Sequence, residues 1–209
     1  QALTDQAMNR LKLENELRKA LEQNEFALFY QPLVDVEDKR MVGVEALLRW
    51  QHPRRGLIAP AEFIHVAEDS GLIVPLGIWL LRTACAQAQA WQNKEFKAGR
   101  IGVNLSARQV RTPGFAAEVA DAIAQTGIAP HMLELELTEN LLIDTDPAQL
   151  EDLQRIRDAG VHFALDDFGT GYSSLSYLKR LPIETLKIDR SFVSGVPHKA
   201  DDVAITTAI

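Results

Sequence analysis

Two adjacent carboxylates, Asp166 and Asp167, follow an apolar run and precede a glycine-rich stretch in the segment LDDFGTGYSSL (165–175). Aspartate and glycine often end a strand in a turn, and an isolated D-D-x-G would be interpreted in that way. Paired carboxylates can also hold two divalent ions that act together on a phosphate ester. The other apolar segments of the chain decide between these two interpretations.

Polar side chains recur in those segments with a period of two. Each segment has apolar residues on one face and polar residues on the other, as expected for strands covered on one side only. The polar residues at comparable positions are Glu45 in MVGVEALLRW (41–50), Asn104 in IGVNLS (101–106), Glu136 in LELELT (133–138), Asp166 in HFALD (162–166) and Lys187 in TLKID (185–189).

Carboxylates that converge from several strands cannot all remain ionised without a counter-charge, because like charges raise one another's pKa. Carboxylate and amide oxygens, without cysteine or histidine, are ligands typical of Mg²⁺ or Mn²⁺ rather than zinc. The pattern therefore predicts a metal site in which Asp166 and Asp167 serve two ions. Glu45 or Glu136 could instead be a buried acid paired with Arg49 or Lys187, and Asn104 could be a turn residue at a strand end.

The order of the segments predicts the architecture. The runs 26–36 and 41–50 are separated by four residues, which is too short for a crossover helix, so these strands should pair antiparallel. From Pro60 onward helical segments, including ones near 60–68 and 173–180, alternate with strand-like segments, which indicates a mainly parallel sheet covered by helices. A parallel sheet covered on both sides would be apolar on both faces. The polar face favours a closed α/β barrel with its functional groups at the C-terminal rim.

Composition limits the partners. The chain has 209 residues and a formal net charge of -7, and it lacks a lysine-arginine tract, so we expect a small ligand and no nucleic acid polymer. The single cysteine, Cys85, excludes an internal disulfide, suits a reducing compartment and is expected to be a buried, inert thiol. We expect a cytoplasmic domain, either free or as the cytoplasmic part of a membrane-anchored protein.

We expect two parts in the chain. Residues 1–24 are predicted to form an N-terminal connector helix, and residues 25–209 a single domain. The chain begins with Gln1 and stops inside a helix-like segment, which we interpret as a fragment of a longer protein.

Six motifs occur in the order and spacing of one known family. They are YQP (30–32), EALLRW (45–50), NLS (104–106), ELTEN (136–140), LDDFGTGYSSL (165–175) and LKIDRSFV (186–193). Over about residues 24–209 the chain resembles the EAL domain of bacterial cyclic di-GMP phosphodiesterases. The resemblance implies a TIM-like (β/α)8 barrel with an antiparallel first strand, of which this chain covers about six strands, its C-terminal part missing. It also implies hydrolysis of cyclic di-GMP to linear pGpG with two Mg²⁺ or Mn²⁺ ions, and inhibition by Ca²⁺.

The same resemblance assigns roles to individual residues. The first metal would be held by Glu45, Asn104, Glu136 and Asp166, and the second by Asp166 and Asp167. Lys187 would orient the attacking water. Gln31 and Arg49 would contact the ligand, although Gln31 could be a structural turn residue and Arg49 could form an ion pair with a rim acid. Glu139 has the opposite strand parity from Glu136, so we assign it to anchoring the 168–175 loop and not to the metal. In that loop Gly169 and Gly171 allow close approach of the backbone, and Ser173 can cap the following helix.

The family pattern continues beyond Ile209, with a further metal-binding glutamate and more ligand contacts. We therefore expect activity in the complete domain and an inactive 209-residue segment. The main alternative is a cyclic di-GMP receptor that does not cleave its ligand, and a structural interaction module is a third possibility. The resemblance further implies an upstream GGDEF or sensor domain and a homodimer.

Overall fold

A computed structural model of the chain describes residues 2–94, 98–139, 146–170 and 181–208, with side chains from residue 8 onward. The helix predicted near 173–180, together with Gly171 and Ser173, lies outside the described residues.

The N-terminal third consists of a helix and a hairpin. Helix α1 (Ala2–Glu22) leads into strands β1 (Phe26–Val34) and β2 (Met41–His52), which pair antiparallel as predicted. A short strand that the sequence did not indicate, β3 (Gly56–Ile58), adds an antiparallel partner to the end of β2.

Helices and strands alternate through the rest of the chain. The segment predicted as one helix over 60–68 is divided at Phe63 into a 3₁₀ turn (Pro60–Glu62) and helix α2 (Ile64–Ser70). The elements that follow are α3 (Ile73–Asn93), β4 (Arg100–Leu105), α4 (Ala107–Val110), α5 (Phe115–Thr126), a 3₁₀ turn (Pro130–Met132), β5 (Leu133–Thr138), α6 (Pro147–Asp158), β6 (His162–Phe168), β7 (Thr185–Ile188), α7 (Arg190–Val193) and α8 (Ala200–Ala208). Of the described helices, none reaches by itself the length and apolar composition of a membrane span; α2 and α3 do so only as a pair bent by 120°.

The strands form one sheet in the order β1-β2-β4-β5-β6-β7, with β3 attached to β2. All neighbouring pairs from β2 through β4 to β7 are parallel, so their carboxyl ends lie along one edge. This is the strand order of a TIM-like barrel whose first strand is reversed. The predicted α/β class and its six principal strands are therefore confirmed.

The face of the sheet that packs against the helices carries the core. Along β2 the residues Val44, Ala46, Leu48 and Trp50 are buried, while Glu45, Leu47 and Arg49 on the opposite face are partly exposed. Trp50 is fully buried, contacts the rings of Phe26 and Phe63 and donates from Nε1 to Glu25 at 2.9 Å. This packing fixes the orientation of β2, and thereby directs Glu45 to the other face.

Two residues of the alternation depart from the expected burial. Val42 and Leu186, which the pattern places on the helix-covered face, are 52% and 42% exposed. Val42 lies near the start of β2, and Leu186 lies on β7, an edge strand of the described sheet. Cys85 is buried in α3, as predicted, and burial raises the pKa of its thiol to about 12.

The C-terminal half of α1 packs against the sheet and its helices. Leu17 and Ala20 are almost fully buried in the same core as the strands. Glu16 lies 3.7 Å from Nε2 of His52, the last residue of β2, and 3.3 Å from the guanidinium of Arg54, just after that strand. The division into a connector (1–24) and a domain (25–209) remains a prediction, and these contacts bear on where that division falls.

Candidate metal centre

Five neighbouring strands of the sheet bring the predicted polar residues to one edge. Glu45 lies on β2, Asn104 on β4, Glu136 on β5, Asp166 on β6 and Lys187 on β7. In the parallel register Asn104 is the direct neighbour of Glu136. Since directly paired residues share a face of the sheet, the alternation seen in each strand places these side chains on one surface.

Lys187 lies at the centre of three carboxylates. Its Nζ atom is 2.5 Å from Glu136 Oε2, 3.2 Å from Glu45 Oε2 and 3.4 Å from Asp166 Oδ1. Burial would lower the pKa of Lys187, but the charges of the surrounding acids outweigh it and raise the pKa, so the ammonium group stays charged. The structural alternative, in which Glu45 and Glu136 pair with a basic residue, is thus observed, and Lys187 is the partner of both.

Asn104 joins the cluster through Glu45. Its Nδ2 atom donates to Glu45 Oε1 at 2.7 Å, so the side chain is directed to the carboxylates from within β4 and does not act as a turn residue. The strand ends immediately afterwards, where Ser106 and Gln109 form a capping box at the start of α4. Gln109 also packs tightly on Gly77 of α3, where an added Cβ would lie 1.8 Å from its Nε2.

Glu136 is the most buried member of the cluster. Its side chain is 0% exposed, and its Oε1 atom has no hydrogen-bond partner among the described residues. Gly102 provides the space for that oxygen, since an added Cβ would lie 2.3 Å away. Burial raises the pKa of Glu136 to about 7, against the opposing effect of Lys187. A buried carboxylate oxygen without a partner fits a cation ligand better than a purely structural role.

The three carboxylates converge closely enough to share an ion. Glu45, Glu136 and Asp166 each offer an oxygen atom, and these atoms all lie within 4.8 Å of one another. The donors are hard oxygen atoms, and the amide of Asn104 lies beside them. Such a set suits Mg²⁺ or Mn²⁺, and the chemistry of the donors therefore fits the predicted metal.

A β-bulge places Asp166 and Asp167 together. Leu165 pairs with Leu186, and the next pair is Phe168 with Ile188, so two residues of β6 stand opposite Lys187 alone. Asp167 has a left-handed backbone with φ of 53°. In a regular strand two consecutive side chains would point to opposite faces, and the bulge removes that restriction.

Asp167 lies at the outer side of the cluster. It is exposed, and partial burial together with the charges of Asp166 and Asp189 raises the pKa of its carboxyl group. Asp189 was not among the predicted site residues. The sequence could have indicated it, because Asp189 lies two residues after Lys187 and therefore has the same strand parity.

The two predicted ligand contacts lie on the same face as Glu45. Gln31 of β1 is paired directly with Glu45, and it is an exposed strand residue rather than a turn residue. Arg49 donates from Nη1 to the carbonyl oxygen of Leu48 at 2.7 Å. In the described part of the chain no carboxylate lies within ion-pair distance of Arg49, so the alternative role of Arg49, an ion pair with a rim acid, is not observed there.

The segment after Asp167 turns sharply. Gly169 has φ of 101°, and an added Cβ would lie 2.8 Å from the ring of Phe192. Glu139 is 3% exposed and lies just beyond β5. Its predicted role as an anchor of the 168–175 loop depends on residues outside the described ranges and remains a prediction.

The chain is similar to known proteins over nearly its whole length. A family model described as the EAL domain matches residues 14–209. The chain is 45% identical over 203 residues to the bifunctional diguanylate cyclase/cyclic di-GMP phosphodiesterase MucR of Pseudomonas aeruginosa, covering 97% of this chain and 30% of MucR. It is 41% identical over 203 residues to the cyclic di-GMP phosphodiesterase NbdA of the same organism, covering 97% of this chain and 26% of NbdA.

A solved structure of PaMucR phosphodiesterase in complex with c-di-GMP superimposes with a TM-score of 0.89 at 45% identity. The match covers 95% of this chain and 80% of the PaMucR chain. The chain thus spans less than a third of the length of MucR and NbdA, but most of the solved phosphodiesterase domain. The family match extends over nearly all of the chain, and the chain belongs to the EAL domain family.

Proposed function

We propose that this domain hydrolyses one phosphodiester bond of cyclic di-GMP to give linear pGpG, with two Mg²⁺ or Mn²⁺ ions. The observation that carries the proposal is the convergence of Glu45, Glu136 and Asp166 within 4.8 Å around Lys187. The relatives MucR and NbdA are named as cyclic di-GMP phosphodiesterases, which supports the choice of substrate.

Four oxygen donors would hold the first ion: Glu45, Asn104, Glu136 and Asp166. Asp166 and Asp167 would reach the second ion, because the bulge lets both carboxylates lie at the rim. Divalent ions held there supply positive charge that neutralises phosphate oxygens and makes a water molecule more acidic. Ca²⁺ should occupy the same donors with little turnover.

The remaining residues bind the ligand and orient the attacking water. Lys187 stays charged and can only donate hydrogen bonds, so its role is to position the attacking water and not to accept its proton. Arg49 supplies guanidinium N–H groups for a ligand phosphate, and Gln31, paired with Glu45, supplies an amide to the ligand.

The context of the domain is proposed by analogy alone. MucR is named as both a diguanylate cyclase and a phosphodiesterase, which supports a GGDEF or sensor domain upstream of α1. A homodimer and a cytoplasmic location are part of the same proposal.

The test is turnover in a protein that includes the complete barrel. We expect Glu45→Ala to abolish conversion of cyclic di-GMP to pGpG with Mg²⁺, because a metal ligand is lost. Glu37→Ala is the matched control, since Glu37 is an exposed glutamate in the turn between β1 and β2. Unchanged turnover in Glu45→Ala would refute the metal role. Binding without turnover in the wild type would favour the receptor alternative.

A further inference from the structure

On the face of the β1–β2 hairpin that carries Glu45, three cross-strand pairs form a ladder that begins at the metal centre. In the antiparallel register Gln31 is paired with Glu45, Phe29 with Leu47 and Ala27 with Arg49. Directly opposed residues project to the same face, so all six side chains share the surface that carries Glu45. Phe29 therefore lies one step above the carboxylates and one step below Arg49.

Phe29 is exposed in a way that its neighbours are not. Phe26 is 7% exposed in the core, and Tyr30 packs edge-on against Trp91 with ring centroids 4.7 Å apart. Phe29 is 46% exposed, and no other phenylalanine, tyrosine or tryptophan among the described residues is as open to solvent. Phe29 lies on β1, an edge strand of the described sheet, and its ring offers a flat face on which a base can stack.

Arg49 extends over this ring. Its guanidinium carbon lies 5.7 Å from the centroid of Phe29. Within the described residues its side chain has one hydrogen bond, to the carbonyl oxygen of Leu48. A guanidinium group has five N–H donors, so most of them are available to a phosphate. Phe29 and Arg49 thus present an aromatic face and an anion-binding group side by side.

The distance along the hairpin between the level of Glu45 and Phe29 suits a nucleotide. Residues two apart on a strand are separated by about 6.7 Å, so Phe29 lies about that distance along the strand from the level of Glu45. In a nucleotide a ribose separates the phosphate from its base over a comparable length. A phosphodiester at the carboxylates would therefore place an attached base near Phe29.

We propose that Phe29 is a stacking residue for a purine base of the ligand. The aromatic face of Phe29 packs on the guanine ring, while Arg49 holds a phosphate beside it. This inference rests on the proposed function, because it takes the ligand to be a guanine dinucleotide. It adds a binding residue on β1 whose contribution is to affinity and not to the chemical step.

The test measures binding of cyclic di-GMP by calorimetry in the presence of Ca²⁺, in a protein that includes the complete barrel. Phe29→Leu keeps an apolar side chain and removes the ring, and we expect it to raise Kd by about 5- to 150-fold, the usual effect of losing one base stack. Phe29→Tyr keeps the ring and should bind as the wild type does. Val34→Ala is the matched control, because Val34 is 50% exposed on the same strand but lies outside the ladder.

Two further measurements distinguish the loss of base stacking from a disturbance of the fold or of the metal centre. Ca²⁺ alone should bind wild type and Phe29→Leu equally, since Phe29 is not a metal ligand. Phe29→Trp adds a fluorophore to the three natural tryptophans, and cyclic di-GMP should quench its additional emission.

Several outcomes would overturn the inference. They are unchanged affinity in Phe29→Leu, a loss no larger than that of Val34→Ala, or an equal loss of Ca²⁺ affinity. Absence of cyclic di-GMP binding in the wild type would contradict the proposed function as well. That failure is distinguishable because it appears before any substitution is made.

Discussion

The Nζ atom of Lys187 lies 3.4 Å from Oδ1 of Asp166, at the point where β6 contains one residue more than β7. Because of this bulge, Lys187 stands opposite both Asp166 and Asp167. One cation thereby faces a pair of neighbouring acids as well as Glu45 and Glu136 from more distant strands.

The left-handed backbone of Asp167 should make the bulge sensitive to substitution. Asparagine and aspartate adopt positive φ more readily than alanine, which loses about 1 kcal/mol or more in that conformation. Both substitutions remove the charge, so the two variants differ mainly in how well they adopt positive φ. We expect Asp167→Ala to be less stable than Asp167→Asn by about 1 kcal/mol in urea denaturation. Equal stability of the two variants would contradict a strained backbone at this position.

Removal of Lys187 should destabilise the metal-free protein. Three carboxylates would then lack their shared cation, and loss of one partner of a buried pair costs about 3 kcal/mol. We expect Lys187→Met to lose about that much stability in urea denaturation without metal, and to regain most of it with Mg²⁺. Lys12→Met is the control, because Lys12 is exposed on α1. If metal-free Lys187→Met were as stable as the wild type, Lys187 would not be compensating the charges of the three carboxylates.

The raised pKa of Glu136 predicts a pH dependence with a definite sign. Its pKa is about 7 in the folded protein, because it is buried, whereas an unfolded glutamate has a pKa of about 4.3. Between these values the folded protein binds more protons than the unfolded chain, so this group's contribution to stability declines as the pH rises through the window.

We therefore expect metal-free wild type to lose stability relative to Glu136→Gln as the pH is raised across that range. With saturating Mg²⁺ the trend should reverse, because the ion binds the deprotonated carboxylate. Urea denaturation of both proteins at several pH values measures the difference. A stability difference that does not change with pH would show that Glu136 does not titrate in this window.

The packing of α1 can be tested with two identical substitutions on one helix. Leu17 is 1% exposed, whereas Leu11 is 54% exposed. We expect Leu17→Ala to reduce the free energy of unfolding by about 3 kcal/mol and Leu11→Ala by less than about 0.5 kcal/mol. Similar small effects of both substitutions would support a connector that is independent of the domain.

Much of the site could be predicted from the sequence, because strand alternation is a local property. The alternation in LELELT assigned Glu136 to the polar face, and the same rule placed Glu45, Asn104 and Lys187 beside it. The short loop between β1 and β2 was sufficient to predict their antiparallel pairing.

The features that were not predicted depend on contacts between distant segments. The bulge at Asp166 and Asp167 is defined by pairing with β7, which local alternation does not reveal. The helix expected over 60–68 is interrupted at Phe63, which is fully buried and contacts the rings of Phe26 and Trp50 from other segments. Strand β3 has only three residues, too few for a periodic signal.

The most direct test of the account is a crystal of this domain grown with Mn²⁺ and measured for anomalous scattering. We expect anomalous density within about 2.2 Å of carboxylate oxygens from Glu45, Glu136 and Asp166, with Asp167 beside a second peak. An absence of such density, or carboxylates turned away from one another toward solvent in the presence of the ion, would contradict a metal centre built from separate strands.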